Sequence, residues 1–403
     1  MKLAIIKERK SPPDRRVVLS PKACQDLLKT YKQLSICVEP SDIRAYTDEK
    51  YAEAGLNLSP DISDCDVLLG VKEVPIEALI PNKSYFFFSH TIKKQAYNRN
   101  LLRAVLEKNI TLYDHEVVTN AKGIRLVAFG KYAGIVGAYN AIRTYGLKSQ
   151  RFNLPKASDI HDKKAIIDTL KKLHLPAIKI ILTGKGRVGN GAFEILNGMG
   201  LKQVDTQAFL TQKFDCPVFA QIDVEDYNKR KDGKIFTQDD FFKNASDFES
   251  NFMRFAKVAD VYIAGHFYAD GAPYIFTRAD AKHPDFNIKV VGDISCDIDG
   301  PVACTIHSTT IADPIYGYDP NLEQEVDFLN PKAIAVMAVD NLPCELPIDA
   351  SDGFGEMFAK SVMPAFFNND ADGILERARM TQNGKLTSKY KYLQDFLETK
   401  SDS

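Results

Sequence analysis

The sequence feature that most constrains the fold is a glycine-rich turn near the middle of the chain. A β-branched run, Ile178–Leu182, leads into residues 183–189 (TGKGRVG), and the apolar spacing of Ala192–Met199 predicts a helix directly afterwards. A strand that turns through GxGxxG into a helix is typical of dinucleotide binding. The first glycine makes a tight turn, the second lets the backbone approach a pyrophosphate, and the third allows close packing of helix on strand. We therefore predict dinucleotide contacts at Gly184, Gly186, Arg187, Val188 and Gly189.

An acidic residue stands at a suitable distance beyond this turn. A second short strand is predicted over Lys202–Val204, and it ends at Asp205, 21 residues after Gly184. An acidic residue about 20 positions on accepts hydrogen bonds from the adenosine ribose in such domains, and its charge repels a 2′-phosphate. The spacing therefore favours NAD as the cofactor, with NADP left as an alternative. The other interpretation of Asp205 is that it only caps the next helix.

The rest of the chain alternates between strand and helix patterns in two blocks. Apolar or β-branched runs predict the strands, which are Leu3–Ile6, Val67–Val71, Ser84–Phe88, Ile110–Tyr113, Ile178–Leu182, Lys202–Val204, Val218–Ala220, Val261–Ala264, Lys289–Val291 and Ala333–Val339. Strands that alternate with helices indicate parallel sheets covered by helices on both faces. A length of 403 residues suffices for two such domains. The charged segment 228–234 (NKRKDGK) predicts an exposed turn.

Composition excludes several classes of protein. Lys and Arg total 52 against 53 Asp and Glu, so no positive charge excess points to nucleic acid or to an anionic membrane surface. No run approaches the roughly 18 apolar residues of a membrane helix. The seven cysteines are dispersed, form no metal-type array, and are typical of reduced thiols in the cytoplasm. We therefore expect a cytoplasmic protein that binds small molecules, without a metal, nucleic-acid or membrane partner.

Three ionisable residues of the first block stand just beyond predicted strands. Lys72 and His90 each follow a strand, and Arg16 lies in the loop after the first strand. The carboxyl ends of parallel strands form the ligand crevice in open sheets. There a lysine or a histidine can act as acid or base, and an arginine can bind a carboxylate with two hydrogen bonds. The alternatives are a structural histidine and a Lys72 that merely pairs with Glu73.

Six segments of the chain, taken together, resemble a known family. They are residues 8–10 (ERK), 14–21 (DRRVVLSP), 87–95 (FFSHTIKKQ), 125–130 (RLVAFG), 293–297 (DISCD) and 340–347 (DNLPCELP). The first two look like the opening of the alanine dehydrogenase and saccharopine dehydrogenase group. The other four are more similar to its lysine–2-oxoglutarate reductase branch. The resemblance runs in the same order from residue 2 to about residue 365.

This resemblance implies an α/β fold of two Rossmann-like, doubly wound parallel-sheet domains with an interdomain cleft. Residues 1–128 together with 332–403 would form the substrate domain, and residues 129–331 would form the dinucleotide-binding domain. In this division, the strand predicted over Ala333–Val339 begins the return to the first domain.

The resemblance also implies roles for individual residues of the first domain. Lys72 and His90 match the acid–base pair of the family, and Arg16 matches its arginine for a substrate carboxylate. Lys10 and Lys93 match basic positions near the substrate. Several cations in one place agree with saccharopine as a ligand, because that molecule carries three carboxylates.

The implied activity is the NAD(P)-dependent reductive condensation of L-lysine with 2-oxoglutarate to saccharopine, or the reverse oxidation. Asp293 matches a residue that faces the nicotinamide ribose. Alternative activities are those of an alanine dehydrogenase or of another opine-type or imine-reducing dehydrogenase. A non-enzymatic alternative is a protein that senses dinucleotides by binding them. The sequence makes no prediction of the oligomeric state.

Overall fold

The computed structural model describes residues 1–269 and 271–398, which fold into two compact units. One unit consists of Met1–Phe129 and the chain from Pro347 onward, and the other is Gly130–Leu346. Within the described residues, no helix is both long and apolar enough to cross a membrane.

The strands, in chain order, are β1 (Lys2–Ile5), β2 (Ser35–Val38), β3 (Asn57–Leu58), β4 (Val67–Leu69), β5 (Ser84–Phe87), β6 (Thr111–Asp114), β7 (Lys179–Thr183), β8 (Lys202–Gln203), β9 (Val218–Ile222), β10 (Asn228–Arg230), β11 (Phe248–Ser250), β12 (Val261–Ala264), β13 (Val290–Asp293), β14 (Ile315–Asp319), β15 (Gln324–Val326), β16 (Ile334–Met337), β17 (Thr381–Gln382) and β18 (Lys385–Leu386). The α-helices are α1 (Pro21–Thr30), α2 (Asp48–Glu53), α3 (Arg99–Glu107), α4 (Gly130–Lys148), α5 (Lys163–Leu170), α6 (Arg187–Gly198), α7 (Thr206–Thr211), α8 (Val224–Tyr227), α9 (Gln238–Lys243), α10 (Met253–Ala256), α11 (Arg278–Lys282), α12 (Pro347–Ser361), α13 (Ile374–Ala378) and α14 (Gln394–Glu398).

The first unit is built on a six-stranded sheet in the order β3-β2-β1-β4-β5-β6. Every neighbouring pair is parallel, and Leu3 of β1 lies opposite both Ile36 of β2 and Val67 of β4. The chain winds outward from β1 in one direction, returns to it, and winds outward in the other, so the sheet is doubly wound. The carboxyl ends of β1, β4, β5 and β6 consequently lie at the same end of the sheet.

The second unit contains an eight-stranded sheet in the order β15-β14-β16-β13-β12-β7-β9-β8. The six strands from β16 to β8 are parallel, and β14 and β15 add an antiparallel margin. Ile180 and Leu182 of β7 pack into the core on one face, and Ile181 packs into the core on the other. Both faces are therefore covered, which confirms the predicted α/β architecture with two parallel-sheet domains.

Strand β16 corrects the predicted division of the chain. From the sequence, the return to the first domain is expected at residue 332. In the structure, β16 pairs with β13 in the second sheet, where Ala335 lies opposite Val290. The chain returns to the first unit only at Pro347, where α12 begins. An apolar run predicts a buried strand, but it does not identify the sheet that accepts the strand.

The charged segment 228–234 is a turn only in its second half. Its first three residues form β10, which pairs antiparallel with β11. Lys229 lies opposite Glu249, with 3.0 Å between Nζ and Oε1. Opposite charges on directly facing residues stabilise such a pair. This hairpin and α9 both lie in the segment of chain between β9 and β12.

Helices α4 and α6 of the second unit cross backbone to backbone. A Cβ at Gly134 would lie 2.0 Å from the carbonyl oxygen of Val188, and a Cβ at Gly191 would lie 2.0 Å from that of Lys131. No side chain fits at such distances, so glycine is required at both positions. Because α6 directly follows the glycine-rich turn, this close contact with α4 fixes the position of the N-terminus of α6.

Candidate functional site

The glycine-rich turn joins β7 to α6. Gly184 has a φ of +92°, and its N–H donates to the carbonyl of Ile222 at 2.8 Å. A Cβ on Gly189 would lie 1.9 Å from the carbonyl oxygen of Gly184, whereas a Cβ on Gly186 would meet no described atom within 4 Å. The turn itself therefore requires its first and third glycines. The second glycine leaves open space beside the backbone, as the approach of a pyrophosphate needs.

Two polar side chains that were not predicted from the sequence hold this turn. Gln221 Nε2 donates to the carbonyl of Gly184 at 2.9 Å, and Asn190 Nδ2 donates to the carbonyl of Lys185 at 2.9 Å. Gln221 is a polar residue inside the otherwise apolar strand β9. This interruption of the apolar pattern is the sequence feature that could have indicated its role. These bonds satisfy two carbonyl groups of the turn that no strand partner reaches.

Helix α6 begins at Arg187, and its N-cap residue, Gly186, has no side chain with which to cap the helix. The first N–H groups of α6 and the positive end of the helix dipole suit an anion such as a pyrophosphate. Arg187 is exposed, and the partly buried Val188 packs against the core beneath α4. The predicted residues of the turn therefore lie together at one helix N-terminus.

The structure gives Asp205 a different place from the predicted one. Asp205 is an exposed N-cap residue of α7, and its carboxylate accepts a hydrogen bond from Ala208 N at 2.8 Å. The preceding strand, β8, lies at the margin of the sheet, separated from β7 by β9. Asp205 therefore caps α7 beyond a strand that does not adjoin β7, and its contact with a ribose stays a prediction. Spacing along the chain could not show this, because it does not reveal which strand pairs with β7.

Asp223 holds the position that was predicted for Asp205. It follows Ile222, the last residue of β9, and β9 is the direct neighbour of β7. Asp223 is half-buried and lines, together with the glycine-rich turn, a crevice of about 270 Å³. Burial raises the pKa of Asp223, and the nearby Lys185 ammonium opposes that shift. A carboxylate at this strand end is suited to the hydroxyl groups of a ribose.

Asp293, at the end of β13, has its carboxylate turned inward. Oδ1 accepts hydrogen bonds from N and Oγ of Ser295 at 3.1 and 2.7 Å, and Oδ2 accepts one from Thr305 Oγ1 at 2.6 Å. The side chain is completely buried, and burial raises its pKa. Asp293 therefore organises its own loop through both oxygens, and its contact with a nicotinamide ribose stays a prediction.

In the first unit, the predicted acid–base residues follow neighbouring strands. Lys72 follows β4 and His90 follows β5, and these two strands pair directly. Val71 N and Lys72 N donate to the two carboxyl oxygens of Glu8 at 2.7 and 2.9 Å. Glu8 follows β1, and burial raises its pKa to about 8. The loop that contains Lys72 is therefore held, through these two hydrogen bonds, to the segment that follows the central strand β1.

Glu73 joins two of the predicted residues. Its Oε1 lies 2.5 Å from Nδ1 of His90, and its Oε2 accepts a hydrogen bond from Lys10 Nζ at 2.8 Å. Although burial opposes ionisation, the hydrogen bonds from His90 and Lys10 lower the pKa of Glu73 to about 2. His90 has a φ of +54°, a left-handed conformation that residues other than glycine seldom adopt. The contact of this carboxylate with Nδ1 fixes the orientation of the imidazole ring.

Arg16 is engaged by a neighbour in its own loop. Its Nε and Nη2 donate to the two oxygens of Asp14 at 3.0 and 2.6 Å, and both side chains are 3% exposed. The guanidinium carbon lies 4.2 Å from the centre of the Phe129 ring. Although burial opposes it, the Arg16 guanidinium holds the pKa of Asp14 below its usual value, with a smaller contribution from Lys72. In this structure, Arg16 makes with Asp14 the two hydrogen bonds that the sequence predicts it to make with a carboxylate of the substrate.

Lys93 lies near neither Glu73 nor Asp14 in the contacts described above, but beside a different carboxylate, that of Glu116. Its Nζ lies 3.8 Å from Oε1 of Glu116, and Arg125 Nη1 lies 3.9 Å from the same oxygen. Oε2 of Glu116 is buried and has no hydrogen-bond partner among the described residues. The Arg125 guanidinium lies 5.5 Å from the centre of the Phe88 ring. Arg125 therefore adds a cation to the set that the sequence predicts.

The five predicted residues of the first unit thus occupy loops at the carboxyl end of one sheet, and they are Lys10, Arg16, Lys72, His90 and Lys93. From the sequence, Glu73 is named only as a partner for Lys72, and the neighbouring carboxylates Asp14 and Glu116 are not singled out. The predicted cations could themselves have indicated such carboxylates, because cations gathered at a partly buried strand end need anionic neighbours.

This fold and these sites define the chain as a two-domain α/β protein of the Rossmann type. Residues 4–136 match the family described as alanine dehydrogenase/PNT, N-terminal domain. The chain is 29% identical over 448 residues to the mitochondrial α-aminoadipic semialdehyde synthase of Mus musculus, and 27% identical over 445 residues to that of Arabidopsis thaliana. These matches cover 99% and 97% of the chain but 48% and 41% of the relatives, so the chain spans half or less of their length.

A further relative is of similar size to this chain. The saccharopine dehydrogenase [NAD(+), L-lysine-forming] of Candida glabrata is 26% identical over 374 residues, which cover 88% of each chain. These similarities confirm the family resemblance: over most of its length the chain is similar to lysine-forming saccharopine dehydrogenases.

Solved structures agree on the fold. An L-alanine dehydrogenase superposes with a TM-score of 0.64 and 16% identity over 98% of this chain and 99% of that one. A transhydrogenase from Sinorhizobium meliloti gives 0.59 and 16% over 96% and 100%. Both comparisons confirm the Rossmann-type architecture.

Proposed function

We propose that the chain is an NAD-dependent oxidoreductase that condenses L-lysine with 2-oxoglutarate to saccharopine, or catalyses the reverse oxidation. The observation that carries this proposal is the 2.5 Å contact between Nδ1 of His90 and the carboxylate of Glu73, which lies in the loop that also carries Lys72. Support comes from the alignment of nearly the whole chain with α-aminoadipic semialdehyde synthases and with fungal lysine-forming saccharopine dehydrogenases.

The reaction requires protons to be moved between oxygen and nitrogen. The amine adds to the ketone, water leaves the carbinolamine, and the resulting imine is reduced. When bound, NADH supplies the hydride for the last step. His90, oriented by Glu73, and Lys72, positioned through its backbone by Glu8, are the groups of this chain that exchange the protons.

The carboxylates of the substrates require cations. Arg16, Lys10, Lys93 and Arg125 supply them from loops at one end of the sheet. Their own carboxylate neighbours hold these side chains in place before a substrate arrives, which reduces the entropy lost on binding. A substrate carboxylate then replaces or shares these contacts.

The second unit contains residues that fit a dinucleotide. The turn leaves space beside Gly186, the N-terminus of α6 suits the pyrophosphate, and Asp223 suits the adenosine ribose. The carboxylate of Asp223 would repel a 2′-phosphate, so we propose NAD as the cofactor in preference to NADP.

The cofactor preference can be tested at Asp223, with Asp205 as the matched control. The wild type should favour NADH over NADPH by at least about tenfold in kcat/KM, which is ~1.4 kcal/mol. Asp223→Ala should remove most of this preference, because the repulsion of the 2′-phosphate disappears. Asp205→Ala should keep the preference and lose only the helix cap, at about 1 kcal/mol of stability. If Asp205→Ala changes the cofactor preference and Asp223→Ala does not, Asp205 is the ribose-binding residue, as its spacing from Gly184 predicts.

The substrate proposal is tested by a panel of amines and 2-oxo acids, with NADH oxidation followed by its absorbance. Lysine with 2-oxoglutarate should be turned over far faster than ammonia with pyruvate. Turnover with ammonia and pyruvate but not with lysine would assign the chain as an alanine dehydrogenase. Binding of NADH without oxidation in any combination would assign it as a dinucleotide-sensing protein.

We also propose that the protein works in a reducing compartment such as the cytoplasm. All seven cysteines are free thiols, and four of them are buried: Cys24, Cys37, Cys65 and Cys304. Buried free thiols of this kind behave as small apolar side chains.

A further inference from the structure

Asp114 is a fully buried carboxylate at the end of β6, the strand beside the one that His90 follows. It was not singled out from the sequence, and it is separate from the carboxylates that contact Lys10, Arg16 and Lys93. Burying a carboxylate is unfavourable unless hydrogen-bond donors surround it. The groups that donate to Asp114 therefore indicate what its carboxylate holds in place.

The donors come from the segments that follow β5 and β6. Oδ2 of Asp114 accepts hydrogen bonds from Oγ and from N of Ser89, the latter at 3.0 Å, and Oδ1 accepts one from Glu116 N at 2.7 Å. Because the hydroxyl proton of Ser89 is directed at Asp114, the Ser89 oxygen is left to accept. Oγ1 and N of Thr91 lie 2.7 and 3.3 Å from that oxygen. Asp114 therefore holds Ser89 directly, and it holds Thr91 through Ser89.

His90 lies between these two held residues. Its φ of +54° is left-handed, a conformation that persists in a residue with a Cβ only where the surrounding structure determines it. The backbone on both sides of His90 is tied to the carboxylate of Asp114, whereas Glu73 contacts the ring, at Nδ1. One carboxylate thus fixes the backbone of His90, and another fixes its imidazole.

We propose that Asp114 is a positioning residue for proton transfer by His90, and that it sets the backbone from which the imidazole projects. This inference rests on the proposed function, in which His90 exchanges protons with the substrate. Asp114 is 0% exposed, so it acts on the reaction through Ser89 and Thr91. Its loss should therefore reduce kcat and leave the binding of NADH unchanged.

Asp114→Ala removes the shared acceptor and is the first test. With lysine, 2-oxoglutarate and NADH at saturation, kcat should fall roughly 10- to 100-fold, since a misplacement of about 1 Å at a reacting group can cost 10²-fold. NADH affinity, measured through the fluorescence of the nicotinamide, should stay within about twofold of the wild type. Wild-type kcat in a folded Asp114→Ala protein would overturn the inference.

Ser89→Ala is a milder variant of the same network. It keeps the carboxylate and the hydrogen bond from Ser89 N, and it removes only the hydroxyl group that joins Asp114 to Thr91. Its kcat should fall roughly three- to tenfold, which corresponds to the usual net contribution of one hydrogen bond. If Asp114→Ala does not fold, the following test is made with Ser89→Ala.

A double-mutant cycle with His90 separates positioning from general support of the fold. In the His90→Ala background no imidazole remains to be positioned, so the added Asp114→Ala or Ser89→Ala should change the residual kcat by less than about threefold. An equal loss of kcat in the presence and in the absence of His90 would overturn the inference, because the network would then act by a route that does not include this residue.

Thr381→Val is the matched control. Thr381 is also fully buried, and its Oγ1 donates to the carbonyl of Ile110 at 2.8 Å and accepts from Leu112 N at 2.9 Å, so it too holds β6. The control should lower the thermal midpoint and leave kcat within about twofold of the wild type. A loss of kcat as large as that of Asp114→Ala would contradict a specific role of Asp114.

The failure of this inference can be distinguished from that of the proposed function. If the wild type turns over lysine with 2-oxoglutarate, and Asp114→Ala and Ser89→Ala both keep its kcat, the positioning role is wrong and the enzyme assignment stands. If the wild type turns over no pair of amine and 2-oxo acid, the proposed function and this inference both fail.

Discussion

Replacing Lys72 with Met, or His90 with Ala, is expected to lower kcat by roughly 10²–10⁴, the usual contribution of a general acid–base group. Each side chain follows a neighbouring parallel strand, and Glu73 holds the ring of His90 through a 2.5 Å contact. Steady-state turnover of NADH with lysine and 2-oxoglutarate is the measurement. NADH affinity should hardly change, because neither residue belongs to the unit that contains the glycine-rich turn.

Matched controls use residues of the same type away from the strand ends. Lys122→Met removes an exposed lysine of the first unit, and His161→Ala removes a histidine whose side chain is 76% exposed. Both should retain wild-type turnover. If Lys72→Met and His90→Ala also keep near wild-type turnover, their assignment as the acid–base pair is wrong.

Gly189→Ala is expected to abolish tight binding of the dinucleotide, with an affinity at least about 100-fold lower, or ~2.7 kcal/mol. The added Cβ would lie 1.9 Å from the carbonyl oxygen of Gly184, so the backbone of the turn must move. A forced shift of this kind also lowers the free energy of unfolding, by roughly 1–3 kcal/mol. NADH titration and thermal unfolding measure the two effects on the same sample.

Gly186→Ala is the matched comparison. Its φ of −77° suits any residue, and its Cβ would meet no described atom within 4 Å. The thermal midpoint should therefore stay at the wild-type value, while NADH affinity falls roughly tenfold because the methyl group occupies space that the pyrophosphate approaches. Wild-type NADH affinity in Gly189→Ala would contradict the assignment of this turn as the dinucleotide site.

The parts of the fold that depend on local patterns could be predicted from the sequence. The run Ile178–Leu182 followed by TGKGRVG is β7, its turn and the start of α6 in the structure. Lys72 and His90 were predicted to follow strands, and they do follow β4 and β5. Apolar runs and glycine spacing report on contacts close in sequence, so these elements are visible without a structure.

Features that depend on pairing between distant segments could not be predicted. Asp205 has the right spacing, but β9 and not β8 lies beside β7, so Asp223 takes the place beside the turn. The apolar run at Ile334–Met337 likewise predicts a strand but not its partner. The strand pairs with β13 of the second unit and does not begin the return to the first. The bond between Glu73 and Lys10 joins residues 63 positions apart, and nothing in either segment alone identifies the partner.

The central claim is that the chain joins an amine to a 2-oxo acid by reduction, and the most direct measurement is the mass of the product. The wild type is incubated with NADH, L-lysine and 2-oxoglutarate, and the products are analysed by mass spectrometry, with ornithine and with ammonia as alternative amines. The account predicts a product with the mass of lysine plus 2-oxoglutarate, less one water and with two added hydrogens, which is saccharopine. Glutamate from ammonia as the sole product, with lysine returned unchanged, would contradict it.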